Sequence, residues 1–533
     1  MNRITFDVGI IGGGLAGSLL ARQLRNAMPS LTIGVFEKHA QTSYKVGEST
    51  VEIATNYFLR RLNLSAYLYE HQLPKNGLRF FFDDEKKSTE LWNMSEIGGV
   101  SFPYHPAFQI DRARIEADLL NMNQENGINV YREARVENVR LGTPSKKPTR
   151  HSFDVQQAHD QNFRGQARWI IDASGRSSLL ARQLQLRLPE CGHNLGSIWG
   201  RFRHVTNIDT VGPDSFRKRI RYTSRRLATC HFCYSGYWIW LIPLREGVTS
   251  VGVVLDRSVH WEDSLRKEEG FLGFLRKHAA VWSLLKNAEL IDIGSLGSLA
   301  YGTPQYLSSH GWGLTGEAAA FTDPFYSPGS DFIALENDFL TDLIQRDLQE
   351  ESEERLQQIS SLYNDYMCFR YEASMRLYRN LYPLLGSYPL LKLKWQLDFP
   401  LYYHLWLSQY MQDLHLQENF LRTQLSEQDL ILNALSNFSL LFTRLDTHMR
   451  ANGTYFHSNQ HQFTNALEGV DWIEQVGTPQ GLHQELKRLN QIFNSSRQSA
   501  LNLLSSRSDI EQIQPSLSLS QFLTPHPLVE SIV

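Results

Sequence analysis

Gly12-Gly13-Gly14-Leu15-Ala16-Gly17 follows directly on the apolar run Phe6 to Ile11 and opens Leu15 to Leu24, whose apolar residues recur at helical spacing. A glycine run at a strand-to-helix junction leaves few folds open. It fits GxGxxG, the turn that presents a helix N-terminus to a pyrophosphate. Gly12 permits the tight turn, Gly14 lets backbone approach the pyrophosphate, and Gly17 lets the helix pack closely on the strand. Leu31 to Phe36 reads as a second strand. Glu37 ends it, about 20 residues after Gly17, where an acid holds a ribose hydroxyl and disfavours a 2′-phosphate. The competing reading is a glycine-rich turn in another α/β fold; strand, helix and acid all in place favour the dinucleotide site.

The 533 residues allow two to three domains of ~150 residues each. A net charge of −3 argues against a nucleic-acid binder, which needs a basic excess. Four cysteines in so long a chain make no disulfide framework, so a reducing, cytoplasmic setting is expected. No secretory h-region follows Met1 to Gly9, and no apolar stretch reaches the ~18 residues of a transmembrane segment. Leu78 to Phe82, Ala167 to Ala173 and Gly311 to Thr315 read as strands, and Asp111 to Asn123 as a helix. Ile198 to Val205, Tyr237 to Pro243 and Val248 to Leu255 read as strands of a second sheet, with Arg245 to Gly247 a turn. From about residue 333 to 505 the pattern is helical, and the Ser-, Gln- and Pro-rich end reads as a loose tail.

Two further segments place the nucleotide. Ile170-Ile171-Asp172-Ala173-Ser174-Gly175 is an apolar strand ending in a small-residue turn. Leu314-Thr315-Gly316-Glu317-Ala318-Ala319 is another, closely followed by Asp323-Pro324. In order and spacing these resemble the FAD-dependent monooxygenase and halogenase superfamily, with Glu317 where that family usually has Asp. The resemblance implies an FAD-binding Rossmann-like domain, an inserted antiparallel β-sheet substrate domain and a mostly helical C-terminal region. The expected core is 1–340, with FAD-binding parts about 1–80, 105–190 and 295–340 and a β-sheet substrate part about 80–105 and 190–295. Helices follow over 341–505 and a tail over 506–533. The resemblance also implies FAD contacts from Glu37, Lys38, Arg112, Asp172, Gly316, Glu317, Asp323 and Pro324. Arg112 is equally readable as a surface helix arginine.

Within that superfamily, four features resemble the flavin-dependent halogenases. Trp238-Ile239-Trp240-Leu241-Ile242-Pro243 matches WxWxIP, which the family places beside the flavin; by periodicity alone it is a strand with two aromatics on one face. Phe321 to Gly329 matches FxxPxxSxG at every fixed position; the resemblance implies Ser327 as a catalytic residue, Gly329 at the flavin, and Ser330 with Thr50, Trp238, Trp240 and Pro243 at the halide site and tunnel. Lys75, in a Lys-x-Gly-x-x-Phe context, matches the family lysine that guides hypohalous acid to the substrate. Gly47-Glu48-Ser49-Thr50 resembles the strap over the flavin, and Ser49 or Thr50 also reads as the N-cap of a helix with Glu52 in its first turn.

The implied activity is FADH2- and O2-dependent chlorination or bromination, with a separate flavin reductase as partner and chloride or bromide as co-substrate. Tryptophan halogenases carry Glu before the loop serine; here that residue is Tyr326. A phenol, resorcinol or pyrrole, free or tethered to a carrier protein, is the expected substrate. His105 and Glu48 are candidates for a phenol-deprotonating base. An aromatic monooxygenase, a prenyl-lipid reductase and a degenerate flavoprotein retained for assembly are the rival readings. Cys230-His231-Phe232-Cys233 has no partner motif at zinc spacing, so no metal site is expected and buried thiols are. The basic stretch Arg217 to Arg226 reads as a solvated loop or as a docking patch for an acidic carrier. The aromatic segment Leu381 to Tyr410 reads as core packing, a substrate-tunnel wall or an interfacial patch.

Overall fold

Continuous apolar runs bounded by small residues make strands buried on both faces, and the first sheet is built from them. A computed structural model describes residues 2–142, 149–158, 161–478 and 482–503. In it, Asn2–Ile11 pairs in parallel with Phe163–Asp172 on one side and with Ile33–Phe36 on the other. Trp312–Leu314 and Asn129–Tyr131 extend the parallel sheet at its two ends. Leu15–Ala27 and Gly329–Leu348 pack on this sheet and on one another. The second strand starts at Ile33 rather than Leu31, because the Thr32 carbonyl already accepts from Asp7 and Val8. Arg112–Glu125 starts as a helix at Arg112 because the Asp111 carboxylate accepts the N–H groups of Ala113 and Arg114, at 2.9 and 3.3 Å.

The second sheet runs in the order Glu289–Leu296, Leu195–Arg203, Val248–Asp256, Tyr237–Pro243, Thr229–Tyr234, Leu78–Phe82, Ser95–Gly98 and Phe463–Asn465. Most neighbours are antiparallel, and two pairings are parallel: Thr229–Tyr234 with Leu78–Phe82, and Phe463–Asn465 with Ser95–Gly98. The last of these strands comes from the C-terminal region, which is thereby tied into the sheet. Cys230 and Cys233 are buried free thiols on opposite faces, one in each of two apolar clusters. The larger cluster joins the parallel sheet, the inner face of the second sheet and the C-terminal helices Glu353–Arg376, Tyr388–Leu401 and Gln428–Ala451. Tyr388–Leu401 runs into a π-helical stretch, Tyr402–Leu407, a local widening often found at functional sites. The expected tail, 506–533, lies outside the described residues. Among the described residues no helix is long and apolar enough to cross a membrane.

Candidate active site

The strand ends and turns enclose a cavity of about 670 Å³, within the usual range for a cofactor site. Gly12 and Gly14 form one end, with Glu37 and Lys38 beside them. Gly12 has φ +109°, and a Cβ there would lie 2.3 Å from the Ala173 carbonyl oxygen. A Cβ on Gly17 would lie 2.1 Å from the Gly12 carbonyl oxygen, so this glycine serves the packing of helix on turn. Gly14 differs: a Cβ there would meet nothing nearer than the Glu116 carboxylate at 3.9 Å. The protein leaves that space open on the cavity side. Glu37 Oε2 accepts from Gly13 N at 2.9 Å and Oε1 from His39 N at 3.0 Å, which fixes the carboxylate at the cavity wall.

Arg112 donates through Nη1 to the Val46 carbonyl at 3.0 Å and pairs with Glu116 one turn on. It thereby holds the strap Gly47 to Ser49 against the cavity. Glu48 is fully buried and paired with Arg201 Nη2 at 3.0 Å; burial outweighs the arginine and raises the carboxyl to about 7. Ser49 and Thr50 do not cap the following helix. Ser49 Oγ bonds Thr229 Oγ1 at 2.8 Å, Thr50 Oγ1 donates to the Phe108 carbonyl at 2.8 Å, and Val51 is the N-cap of Glu52–Arg60. Asp172 is turned away from the cavity. Its carboxylate accepts from Ser174 N at 2.9 Å and Leu180 N at 2.7 Å, so it closes the turn after its strand.

Gly316, Glu317, Pro324, Ser327, Gly329 and Ser330 line the far side, facing Trp238 and Trp240. Pro243 ends its strand away from the cavity, and its neighbour Ile242 is the lining residue. Glu317 faces Arg176 at 3.4 Å. Asp323 accepts from His193 Nε2 at 2.7 Å, from the Tyr382 hydroxyl at 2.8 Å and from Phe325 N at 2.8 Å. The Tyr382 hydroxyl in turn accepts from Trp238 Nε1 at 3.1 Å, joining the two motifs through buried groups. Ser327 has φ +61°, a left-handed conformation costly for a residue with a Cβ.

A second cavity, of about 140 Å³, lies behind the first. A space of that size suits one aromatic ring. The wall between them is shared: Tyr326, Pro328 and Asp331 face the small cavity, Ser327, Gly329 and Ser330 the large one, and Phe332 both. The strap divides likewise, with Ser49 on the large side and Glu52 on the small. Lys75, 2% exposed, lines the small cavity and donates Nζ to the Thr50 carbonyl at 2.6 Å. Burial lowers it to about 8, against the opposing pull of Glu52 and Asp331. Trp395, Phe399, Tyr402, Tyr403 and Trp406 form the aromatic wall, so the segment Leu381 to Tyr410 supplies a chamber.

Several of these residues carry no signal in the sequence. Arg201, His193 and Tyr382 reach the site from distant elements. His231 lines the large cavity between Phe80 and Trp238, held neutral at about 3 by burial and then by the charge of Lys75. Glu52 and Asp331, within or just beyond the motifs, were within reach of a local reading. His105 packs near Tyr403 outside the chamber lining. The basic stretch is partly internal: Arg219 and Arg225 join Arg79 on the buried Glu96, and Arg217 and Lys218 pair with Asp214.

The open space at Gly14, the fixed Glu37 carboxylate and the elongated set of strand-end residues fit FAD. Residues 5–244 match the FAD binding domain family. The chain is 33% identical over 367 residues to the flavin-dependent halogenase chlA of Dictyostelium discoideum, covering 64% of this chain and 60% of that protein. It is 27% identical over 347 residues to the 1H-pyrrole-2-carbonyl-(peptidyl-carrier protein) chlorinase of Pseudomonas fluorescens, covering 61% and 72%. The chain thus spans about 60% of the length of chlA. Halogenase PltM in complex with phloroglucinol and FAD superposes with a TM-score of 0.64 at 16% identity, covering 93% of this chain and 96% of that one. The flavin-dependent halogenase CmlS superposes with a TM-score of 0.58 at 20% identity, covering 89% and 78%. These likenesses carry the fold. Fold and cavity together define an FAD-binding α/β flavoprotein. Within that class, the chain is similar in sequence to flavin-dependent halogenases.

Proposed function

We propose that this chain halogenates an electron-rich aromatic, a phenol, resorcinol or pyrrole, using FADH2, O2 and chloride or bromide. The observation that carries the reading is Lys75, a buried cation in the chamber wall whose Nζ sits on the strap between the two cavities. Gly12, Gly14, Glu37, Lys38, Gly47, Glu48, Ser49, Arg112, Gly316, Glu317, Pro324 and Gly329 would hold FAD, which in its reduced form supplies, with O2 and halide, the electrophilic halogen. Ser327 and Ser330, with the N–H groups of the helix start at Gly329, suit a desolvated halide. Asp172 and Asp323 position these turns through their buried hydrogen bonds. The Lys75 ammonium hydrogen-bonds and orients hypohalous acid toward an arene held between the aromatic walls, and the shared partition keeps it from bulk water. A flavin reductase would supply FADH2. A free substrate fits the ring-sized chamber, and the carrier-linked pyrrole named for the Pseudomonas relative favours the tethered alternative. The four free cysteines agree with a cytoplasmic setting.

The test uses purified protein with FAD, NADH, a flavin reductase, O2, bromide, catalase and a panel of phenols, resorcinols and pyrroles, read by mass spectrometry. A bromine isotope doublet that disappears in Lys75→Ala is expected. An oxygen adduct that ignores bromide and survives Lys75→Ala would replace this reading with a monooxygenase.

A further inference from the structure

The small cavity holds a charge that the halogenation reading does not use. Arg370 lies on Glu353–Arg376, is 6% exposed and lines the chamber. Its guanidinium stacks 3.5 Å over the Trp406 ring, and Nε and Nη1 are buried with no hydrogen-bond partner among the described residues. Other deeply buried arginines are each met by a carboxylate: Arg79 and Arg225 by Glu96, Arg201 by Glu48. Arg370 has no such ion pair among the described residues. Asp331, whose charge acts on it, is engaged elsewhere: Oδ1 accepts from Ala54 N at 2.9 Å and Oδ2 from the Tyr402 hydroxyl at 3.1 Å.

A guanidinium does not shed its proton, and a buried cation without a partner is strongly unfavourable. Its planar fork matches a two-oxygen or single oxyanion acceptor, and its place among tryptophan and tyrosine rings puts that acceptor on an aromatic ligand. We propose that Arg370 is the residue that selects an anionic substrate: the arene carries a phenolate or ring carboxylate oxygen that pairs with its guanidinium. This rests on reading the small cavity as the substrate chamber. It narrows the substrate class, because a neutral pyrrole thioester would leave the cation unpaired. A phenolate held there also enters the reaction already activated, with no separate base.

The experiment measures binding without turnover, by calorimetry on the full-length FAD-loaded protein. The probes are 2,4-dihydroxybenzoate against its methyl ester, and 2,4,6-trichlorophenolate against its methyl ether. The anion of at least one pair is expected to bind about tenfold or more tightly than its neutral form. Arg370→Gln should remove that preference and leave the neutral ligand's affinity unchanged, and Arg370→Lys should keep part of it. The pair that discriminates tells carboxylate from phenolate. Equal affinities within both pairs for the wild-type protein, or a preference that survives Arg370→Gln, would overturn the inference. The wild-type comparison stands even where a variant fails to fold. Anion preference without any halogenated product keeps this site and sinks the halogenase reading. Neutral arenes halogenated as fast as their anions keep that reading and overturn this one.

Discussion

Lys75 donates its Nζ to the carbonyl oxygen of Thr50 at 2.6 Å, which anchors the ammonium on the strap whose Ser49 faces one cavity and Glu52 the other. Replacing Lys75 by Met therefore removes this buried charge and leaves the FAD-side wall intact. The expected result is normal FAD absorbance and a loss of halogenation of about 10²-fold or more. Stability gives a second readout. The native lysine titrates near 8 and the unfolded one near 10.5, so the stability linked to it rises between those pH values and is lost below about 8. The span is worth ~3 kcal/mol, and urea unfolding of wild type against Lys75→Met from pH 7 to 10.5 measures it. A difference that stays flat over that range would place the ammonium in water.

Gly14 and Gly17 are alike in the motif and should respond differently to Ala. At Gly17 the added Cβ meets the Gly12 carbonyl at 2.1 Å, and the turn cannot form as it stands. At Gly14 it meets no protein atom nearer than 3.9 Å, and it enters the space kept for the cofactor. Gly14→Ala should keep the wild-type melting temperature and weaken FAD by about tenfold or more. Gly17→Ala should lose several kcal/mol, on the scale of overpacking at ~1–3 kcal/mol or beyond. Flavin fluorescence titration and thermal melts separate the two.

The glycine turn and Glu37 were legible because their constraint is local: a strand, a helix and a fixed interval along one stretch of chain. Lys75 was legible only through the resemblance of its context to a family. The partners of Glu48 and Asp323 were not, because Arg201 and Tyr382 arrive from other elements through sheet register and helix packing, which no local pattern encodes. Ser49 and Thr50 misled for the same reason: their hydroxyls meet Thr229 and Phe108 instead of their own helix. Asp172 was misread although its turn bond to Ser174 is local, since a strand-end acid beside a cofactor site invites a ligand role. Arg370 sits in the middle of a helix with no motif around it, and only the packed structure reveals that its Nε and Nη1 have no partner among the described residues.

Glu48 should leave a pH signature. Its carboxyl is raised to about 7 in the folded protein from an ordinary 4.5, so its contribution is complete below 4.5 and is lost as pH rises through 7. Glu48→Gln should flatten the fall in stability between pH 4.5 and 7, by ~3 kcal/mol at most. Arg201→Met removes the cation that opposes burial, so Glu48 titrates higher still and the fall in stability should continue above pH 7. Chemical denaturation at pH 5 and 7.5 for the three proteins distinguishes these effects; an unchanged slope in Glu48→Gln would mean the carboxyl is ionised throughout.

Phe332 is 8% exposed and touches both cavities, so its ring is part of the partition between them. Truncation to Ala should cost about 3–5 kcal/mol and widen the passage. If an oxidised halogen crosses here under the guidance of Lys75, a wider passage lets more of it miss the bound arene. Phe332→Ala should then consume more NADH per halogenated product and halogenate more of a scavenger present in solution, with Phe332→Leu between it and wild type. Mass spectrometry of the two products, with NADH followed by absorbance, gives the ratio. A variant that folds, binds FAD and keeps the wild-type ratio would show that the halogen does not pass along Phe332.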